Sequence, residues 1–414
     1  MRARNVLLAS GRRTPREEVG AYRVLARVSP AAYLPRLSKA LQQLSYDACF
    51  DDLPEGCLAL REEAVAAARA VDPAEPARAD LLYGALDTCQ RALYELGRRA
   101  EGLAMRAEML AIGRAQAELS GDPAVNGLST WAAGLSEEGR FAEAADALTE
   151  WVAAILPDGP RHGALAWSML EWIAALRDAG RTDEALAALA TLVDMEAADA
   201  ANDRGPMACH LYAVIGYARL LDDCDRGDRA AAVRQEALAL LTELAATGER
   251  KSWSGYQAAY WAVLLDFSGA DGDRPAPGEP RPPSGFVPMQ WSPDVRRRHF
   301  ESLDALREDV DTLALRAVED PGHLAELVRL QRVLTIRSSV HGESRTHLFA
   351  DRVRPMFDEG VDLARRLSEH RPADGNRTLA RSLMDRSTFR AATHEFGPAL
   401  DDFRRALRHL GEAG

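Results

Sequence analysis

Lysine is almost absent from this chain of 414 residues, because Lys39 and Lys251 are the only two lysines among its 51 basic residues. Aromatic residues make up only 6% of the chain, so a core must be built largely from Ala, Leu and Val. Such a composition favours helices. The net charge of −12 is opposite in sign to the basic footprint of a nucleic-acid-binding protein, and we predict no nucleic-acid partner.

Cysteine and long apolar runs are also scarce. The five cysteines, none paired as C-x-x-C, predict buried thiols in a reducing compartment: Cys49, Cys57, Cys89, Cys209 and Cys224. The N-terminal MRARNVLLASGRR has an apolar run of only four residues, too short for a signal peptide. No later stretch approaches a membrane span of about 20 residues. We therefore predict a cytoplasmic protein without membrane contact, whose residues 1–13 form a disordered basic N-terminus.

Sequence signatures of catalysis are missing too. The chain has no G-x-x-x-x-G-K-[ST] loop, no G-x-G-x-x-G after a strand, no H-E-x-x-H and no G-x-S-x-G elbow. DDCDRGD at 222–228 superficially suggests a calcium loop, but Cys224 and Arg226 stand at ligand positions. We interpret it as an acidic turn with Gly227 as a helix C-cap. We predict no enzyme, no cofactor and no metal.

Four similar stretches reveal an internal repeat. They are GRRAEGLAMRAEML from Gly97, GRFAEAADALTEWV from Gly139, GRTDEALAALATLV from Gly180 and HEFGPALDDFRRAL from His394. The first three begin 42 and 41 residues apart, a period typical of helix-hairpin repeats. In the second copy one helical stripe is apolar: Phe141, Ala144, Leu148, Trp151 and Ile155. Gly139 stands at the turn, where a helix C-cap requires positive φ.

The pattern resembles the tetratricopeptide repeat (TPR), in its long variant found in kinesin light chains. The matching positions are Phe141, Ala144, Ala185, Phe396, Ala399, Phe403 and Ala406, with YAVIG at 212–216 resembling the first-helix signature. Asp51 at a turn and Gly102 at a small-Ala position depart from the pattern. The resemblance implies an all-α fold, a right-handed superhelical α-solenoid of about eight antiparallel helix hairpins with a leading half-repeat.

Helix pairs are predicted near 31–71, 78–118, 122–156, 160–198 and 204–247. Before them, Thr14 and Glu17 have capping-box spacing and Pro15 stands at the first helical position. This leading helix has no first helix before it. It is interpreted either as an N-terminal cap, which repeat arrays need, or as a truncated repeat.

A Pro/Gly-rich interruption follows the array at 14–267. Residues 268–293 hold seven Pro and four Gly, too many for a packed core. Helix alternation is preserved if 252–267 and 293–317 form one hairpin. We therefore predict an insertion loop at 268–292 and a continuation of the array at 293–410. Insertions often carry binding surface, so Phe286, Met289 and Trp291 are candidates for contact with a groove.

The first helix of each TPR-like hairpin is expected to line a concave face that binds a protein or peptide. Counting back from the turns gives this candidate set: Asp87, Arg91, Asn126, Ser129, His210, Tyr217 and Arg381. The predicted function is a non-catalytic scaffold. One alternative is a sensor module that binds a small peptide or metabolite and relays it to a transcription factor or signalling ATPase. Another is an all-helical enzyme built as an α/α toroid.

Overall fold

The computed structural model describes residues 14–47, 52–156, 164–251, 254–268, 279–340 and 346–412, and all regular structure within them is helical. The all-α prediction is therefore confirmed. The α-helices of these ranges are α1 Pro15–Val28, α2 Pro30–Leu44, α3 Pro54–Arg69, α4 Arg78–Glu95, α5 Arg99–Ser120, α6 Leu128–Glu137, α7 Phe141–Ile155, α8 Ala164–Asp178, α9 Thr182–Ala201, α10 Met207–Asp223, α11 Gly227–Thr247, α12 Ser254–Phe267, α13 Pro293–Glu319, α14 Leu324–Ser339, α15 Thr346–His370, α16 Pro372–Ala392 and α17 Phe396–Leu410.

The chain divides into two compact units, and the division falls within α6 and α13. Unit 1 comprises residues 1–135 together with 292–295. Unit 2 comprises residues 136–291 together with 296–414.

In unit 1 each helix from α1 to α5 packs on the next, and α2 also packs on α4. Two apolar clusters hold these helices together, one centred on Leu41 and Ala64 and one on Leu86 and Met109. The predicted capping box opens α1. The Thr14 N–H donates to Glu17 Oε2 at 3.0 Å, and the Glu17 N–H donates to Thr14 Oγ1 at 3.3 Å. Two orphan donors of the first turn are thereby satisfied.

The turns predicted from the repeat are confirmed. Gly97, Gly139 and Gly180 adopt φ of 73°, 74° and 74°, the left-handed conformation that glycine tolerates best. In the fourth copy His394 takes the same position at 62°. After three of the turns an arginine pairs with a glutamate three residues later, as in Arg98–Glu101, Arg140–Glu143 and Arg181–Glu184.

The turn at 222–228 differs from its interpretation in one detail. Asp225, with φ of 56°, is the left-handed residue, and the Arg226 N–H donates to the Leu221 carbonyl at 2.9 Å. Gly227 is instead the first residue of α11. Aspartate tolerates left-handed φ better than most residues, so the repeat turn forms here without glycine.

Unit 2 brings its last hairpin back onto an earlier one. Consecutive helices pack on each other from α7 to α11 and again from α14 to α17. In addition α16 packs on α10, and α17 packs on α11. Buried Arg234 on α11 joins the two hairpins, since it binds Asp222 at 2.5 Å and also Glu412 just after α17.

Helix α12 lies among five other helices of unit 2. It packs against α8, α10, α14, α15 and α16. Trp261 at its centre is 1% exposed, lies 6.0 Å from Phe357 and 5.9 Å from Phe389 between ring centroids, and donates to Thr388 Oγ1 at 3.0 Å. The helix predicted as the first of a sixth hairpin is thus covered by α8, α10 and α16, the first helices of three other hairpins.

Candidate partner-binding surfaces

The first candidate surface belongs to unit 1 and begins with α2. Four of its residues are exposed at spacings of three or four, which places them on one solvent-facing stripe: Ala32, Arg36, Lys39 and Gln43. The helix carries no acidic residue. Lys39 makes no ion pair with any residue that the structure describes, whereas Arg36 lies over the ring of Tyr33 at 5.6 Å. The stripe is therefore basic.

A second stripe runs along α4, which packs on α2. Asp87 accepts from Gln90 Nε2 at 3.2 Å and pairs with exposed Arg91 at 3.3 Å. One turn earlier a Cβ added to Gly84 would meet no atom within 4 Å, so the surface is open there. We call Arg36, Lys39, Gly84, Asp87 and Arg91 the unit 1 face. It holds three cations and one carboxylate.

The residues predicted at the start of α6 lie beside α4. Exposed Asn126 accepts a hydrogen bond from the Tyr83 hydroxyl on α4 at 3.2 Å, and half-buried Ser129 follows in the first turn of α6. Partial burial, with the nearby Asp87 carboxylate, raises the pKa of Tyr83. The Tyr83 phenol therefore stays neutral and able to donate this bond at physiological pH.

Sequence reasoning found Asp87 and Arg91 but missed Arg36 and Lys39. The α2 sequence contains the signal, because its basic residues fall on one stripe without any acidic neighbour. Counting back from the turn does not locate this stripe, because the loop after α2 has no glycine in the usual position.

The predicted site residues of unit 2 engage its own helices. His210 is 8% exposed and its Nε2 lies 3.4 Å from Glu236 on α11; burial lowers its pKa. The Tyr217 hydroxyl accepts from Arg229, also on α11, at 2.9 Å. Arg381 donates to the carbonyl of Ser268 at 3.0 Å.

The contact of Arg381 belongs to a cluster that caps α12. The last carbonyls of a helix lack partners within it and attract cations. Arg177 on α8 donates to the Phe267 carbonyl, and Arg332 on α14 donates to both the Ser268 carbonyl and its Oγ, at 3.3 and 2.8 Å. Three arginines from three helices thus hold the end of α12.

Asp385 on α16 anchors this cluster. Its carboxylate pairs with Arg219 Nη2 at 2.5 Å and with Arg332 Nε at 2.7 Å, and all three side chains are largely buried. Burial by itself raises the pKa of a carboxyl group, but Arg332 and Arg219 outweigh it and hold the pKa of Asp385 below its usual value. The carboxylate is therefore charged at neutral pH.

The loop residues predicted to contact a groove have unequal environments. Phe286 and Trp291 are 3% and 4% exposed, whereas Met289 is 65% exposed. The Trp291 indole N–H donates to the Phe286 carbonyl at 3.0 Å. Of the three, only Met289 presents its side chain to solvent.

Other kinds of site were also sought in the described part of the chain. It contains no group of three or more His, Cys, Asp or Glu side chains placed to hold a metal ion. None of its helices combines the length and apolar character needed to cross a bilayer. Cys57, Cys89, Cys209 and Cys224 are free thiols, and burial raises the pKa of Cys89 to about 11.

Among the comparisons with known proteins, only the one with solved structures found similar chains. No protein-family model matches the chain, and no curated protein matches it. It is similar to the TPR-like repeats of a Podosopora anserina putative kinesin light chain, at 17% identity and a TM-score of 0.39 over 53% of this chain and 99% of that one. It is similar to BtubC (BKLC) from P. vanneervenii at 15% identity and a TM-score of 0.40, over 60% and 93% of the two chains.

The TPR domain of P58(IPK) is a third similar structure. It is 13% identical with a TM-score of 0.21, over 90% of this chain and 93% of that one. Similarities at this level carry little structural detail. The TPR-like repeat fold of the chain follows from its own helix hairpins and their recurring left-handed turns.

Proposed function

We propose that the chain is a non-catalytic repeat scaffold that binds an acidic segment of a protein partner on the unit 1 face. TPR-like repeats are generally used for protein interaction, and stacked repeats create extended binding surfaces. The observation that carries the proposal is the exposed basic stripe of α2, a helix that packs on the α4 helix of Asp87 and Arg91. In unit 2, by contrast, residues 208–216 of α10 and 382–389 of α16 are buried.

Charge complementarity supports an acidic partner segment. Asp87 is paired with Arg91, so Arg36 and Lys39 remain as the cations that an added ligand can neutralise. Their exposure means that each new ion pair contributes only about 0.2–1 kcal/mol. A useful affinity therefore requires several carboxylates in one segment, and binding should weaken as salt screens the charges. Asn126, Ser129 and Gly84 would contact the partner as polar and close-approach positions.

A capture experiment with matched variants tests the proposal. The intact chain, the double variant R36E/K39E and the control R27E are immobilised and exposed to extract of the source organism. Arg27 is an exposed arginine of α1 outside the unit 1 face. We expect a protein that is retained by the wild type and R27E, lost with R36E/K39E, and eluted by moderate salt. Circular dichroism confirms that all three chains are folded.

The captured protein then supplies the second measurement. A fluorescent peptide from its most acidic stretch should bind the wild-type chain, and R36E/K39E should weaken that binding at least tenfold. Equal retention of every captured protein by all three chains would refute the unit 1 face as the binding surface.

A further inference from the structure

Residues 279–291, which we call the docking segment, make polar contacts with helix α8 near both of their ends. Near the first end, Arg281 Nη2 pairs with Asp178 at 2.7 Å, and its guanidinium lies 4.2 Å from the ring centroid of Phe141. Near the other end, Gln290 Nε2 donates to Glu171 Oε1 at 2.6 Å. Both carboxylates belong to α8, so the segment lies along that helix.

Between these contacts the segment touches the backbone of α8 through a glycine. A Cβ on Gly285 would lie 2.6 Å from the Leu170 carbonyl oxygen and 2.8 Å from Ala174 Cβ, distances that real side chains do not reach. The φ of +83° independently favours glycine. The next residue, Phe286, is 3% exposed. The lack of space and the positive φ together require glycine at position 285. The residue after it is a buried aromatic.

The backbone–backbone hydrogen bonds that the segment makes with described residues stay within it. Among the described residues, its backbone–backbone hydrogen bonds run from Phe286 to Pro283 at 3.3 Å, from Gln290 to Val287 at 2.9 Å and from Trp291 to Pro288 at 3.3 Å. None of these bonds reaches another element. The segment is therefore held by side chains and by shape, as a bound peptide is, and not as part of a sheet or helix.

The surface beneath it defines the chemistry of a ligand. Glu171 and Asp178 are seven residues apart on α8, which separates them by about 10.5 Å along the helix axis. Ala174 lies between them, and Leu170 directly precedes Glu171. A ligand must present a cation to Asp178 and a hydrogen-bond donor to Glu171. Next to the Leu170 carbonyl it must have a glycine, because there is no room for a Cβ atom. It must also fill the aromatic position next to that glycine.

We propose that this surface of α8 is a peptide-binding site which the docking segment occupies in cis. Its ligand in trans is a protein segment of the same chemistry, with arginine, consecutive prolines, a Gly-Phe pair and a donor side chain four residues after the Phe. The tethered segment competes at a high effective concentration, so a trans ligand binds well only after the segment undocks. This site is distinct from the unit 1 face, and the two proposals are tested independently.

Undocking the segment in the full-length chain tests the proposal. Gly285→Val places a branched side chain against the Leu170 carbonyl and should release the segment. A fluorescent peptide EPRPPSGFVPMQW, the sequence of residues 279–291, is then titrated against both chains. We expect the G285V chain to bind the peptide at least tenfold more tightly than the wild type. Adding E171Q and D178N to G285V should abolish the gain, whereas D194N, at an exposed position of α9, should not.

A second variant distinguishes a genuine lack of peptide binding from misfolding of the G285V chain. Arg281→Glu opposes Asp178 with like charge and undocks the segment without a steric clash. Hydrogen exchange of the segment's amides reports undocking, and circular dichroism reports folding. Binding of the peptide to an undocked, folded chain, with no binding of a peptide carrying Val in place of its Gly, supports the proposal. Failure of either undocked chain to bind, equal binding by the wild type, or unchanged exchange in both variants overturns it.

Discussion

The buried carboxylate of Asp385 offers the sharpest test of how unit 2 is held together. Asp385→Ala removes the counter-ion shared by Arg219 and Arg332, whose side chains are only 14% and 17% exposed. Arg332 also binds Ser268 at the end of α12. The substitution thus leaves two largely buried guanidinium groups without their carboxylate and loosens one of the contacts that cap the central helix.

The expected cost follows from the burial. Removing one partner of a buried ion pair typically destabilises a protein by about 3–5 kcal/mol, because the remaining charge stays desolvated. Arg219→Met should cost less than Asp385→Ala, because Asp385 then still has Arg332. Asp401→Ala on α17 removes an exposed aspartate and should change the unfolding free energy by less than about 0.5 kcal/mol.

Urea unfolding followed by tryptophan fluorescence measures these differences. Six of the seven tryptophans fall within the ranges of unit 2, so the signal reports that unit. Because the folded-state pKa of Asp385 is lowered, its stabilisation is present above the unfolded-state value and is lost as the pH falls through the folded-state pKa. The difference between wild type and D385A should therefore shrink in acid. A cost below about 1 kcal/mol at pH 7 would refute the buried cluster.

Two further substitutions probe buried positions elsewhere. Burial raises the pKa of Glu196 to about 7 from 4.5, so its contribution is complete below pH 4.5 and is lost as the pH rises through 7. Glu196→Gln should raise the unfolding free energy at pH 8 by up to about 3 kcal/mol, unlike D194N. Gly102→Ala would place its Cβ 2.8 Å from the Tyr94 ring and should cost about 1–3 kcal/mol in urea unfolding. Gly20→Ala, which meets open space, should instead gain roughly 0.5–1 kcal/mol.

The repeat turns could be predicted from sequence because their cause is local. A left-handed residue favours glycine wherever it occurs, so Gly97, Gly139 and Gly180 mark the turns without knowledge of the rest of the fold. The same argument explains the detail that was missed. At 222–228 the left-handed residue is Asp225, and the nearby glycine drew the assignment two positions too far along the chain.

Gly102 departs from the TPR-like pattern because of a packing contact that the sequence does not show. The TPR-like pattern expects a small alanine there, and the Tyr94 ring leaves no room even for a methyl group. Arg99 and Arg106 lie over that same ring at 4.9 and 4.5 Å. The Tyr94 ring, which two arginines of α5 contact, thus sets the residue allowed at position 102 of that helix.

The candidate site depends on long-range packing, which the repeat pattern does not encode. Counting back from turns treats every hairpin alike, so it placed His210 and Arg381 on the same kind of open face as Asp87. In the structure Asp87 is half-buried and pairs with Arg91 on its own helix, whereas Arg381, although exposed, contacts the end of α12 across 113 positions of sequence. The solvent exposure of a first helix therefore depends on which distant parts of the chain pack against it.

The sequence of α12 itself indicates that this helix is covered and not exposed. SGYQAAYWAVLLDF has Asp266 as its only charged residue, and its apolar residues lie on all sides rather than on one stripe. A helix that is apolar all round must be buried all round. A first helix of an open hairpin would instead keep a polar side, as α2 does with Arg36 and Lys39. The apolar character of α12 on all sides therefore predicts that it fills space between other helices.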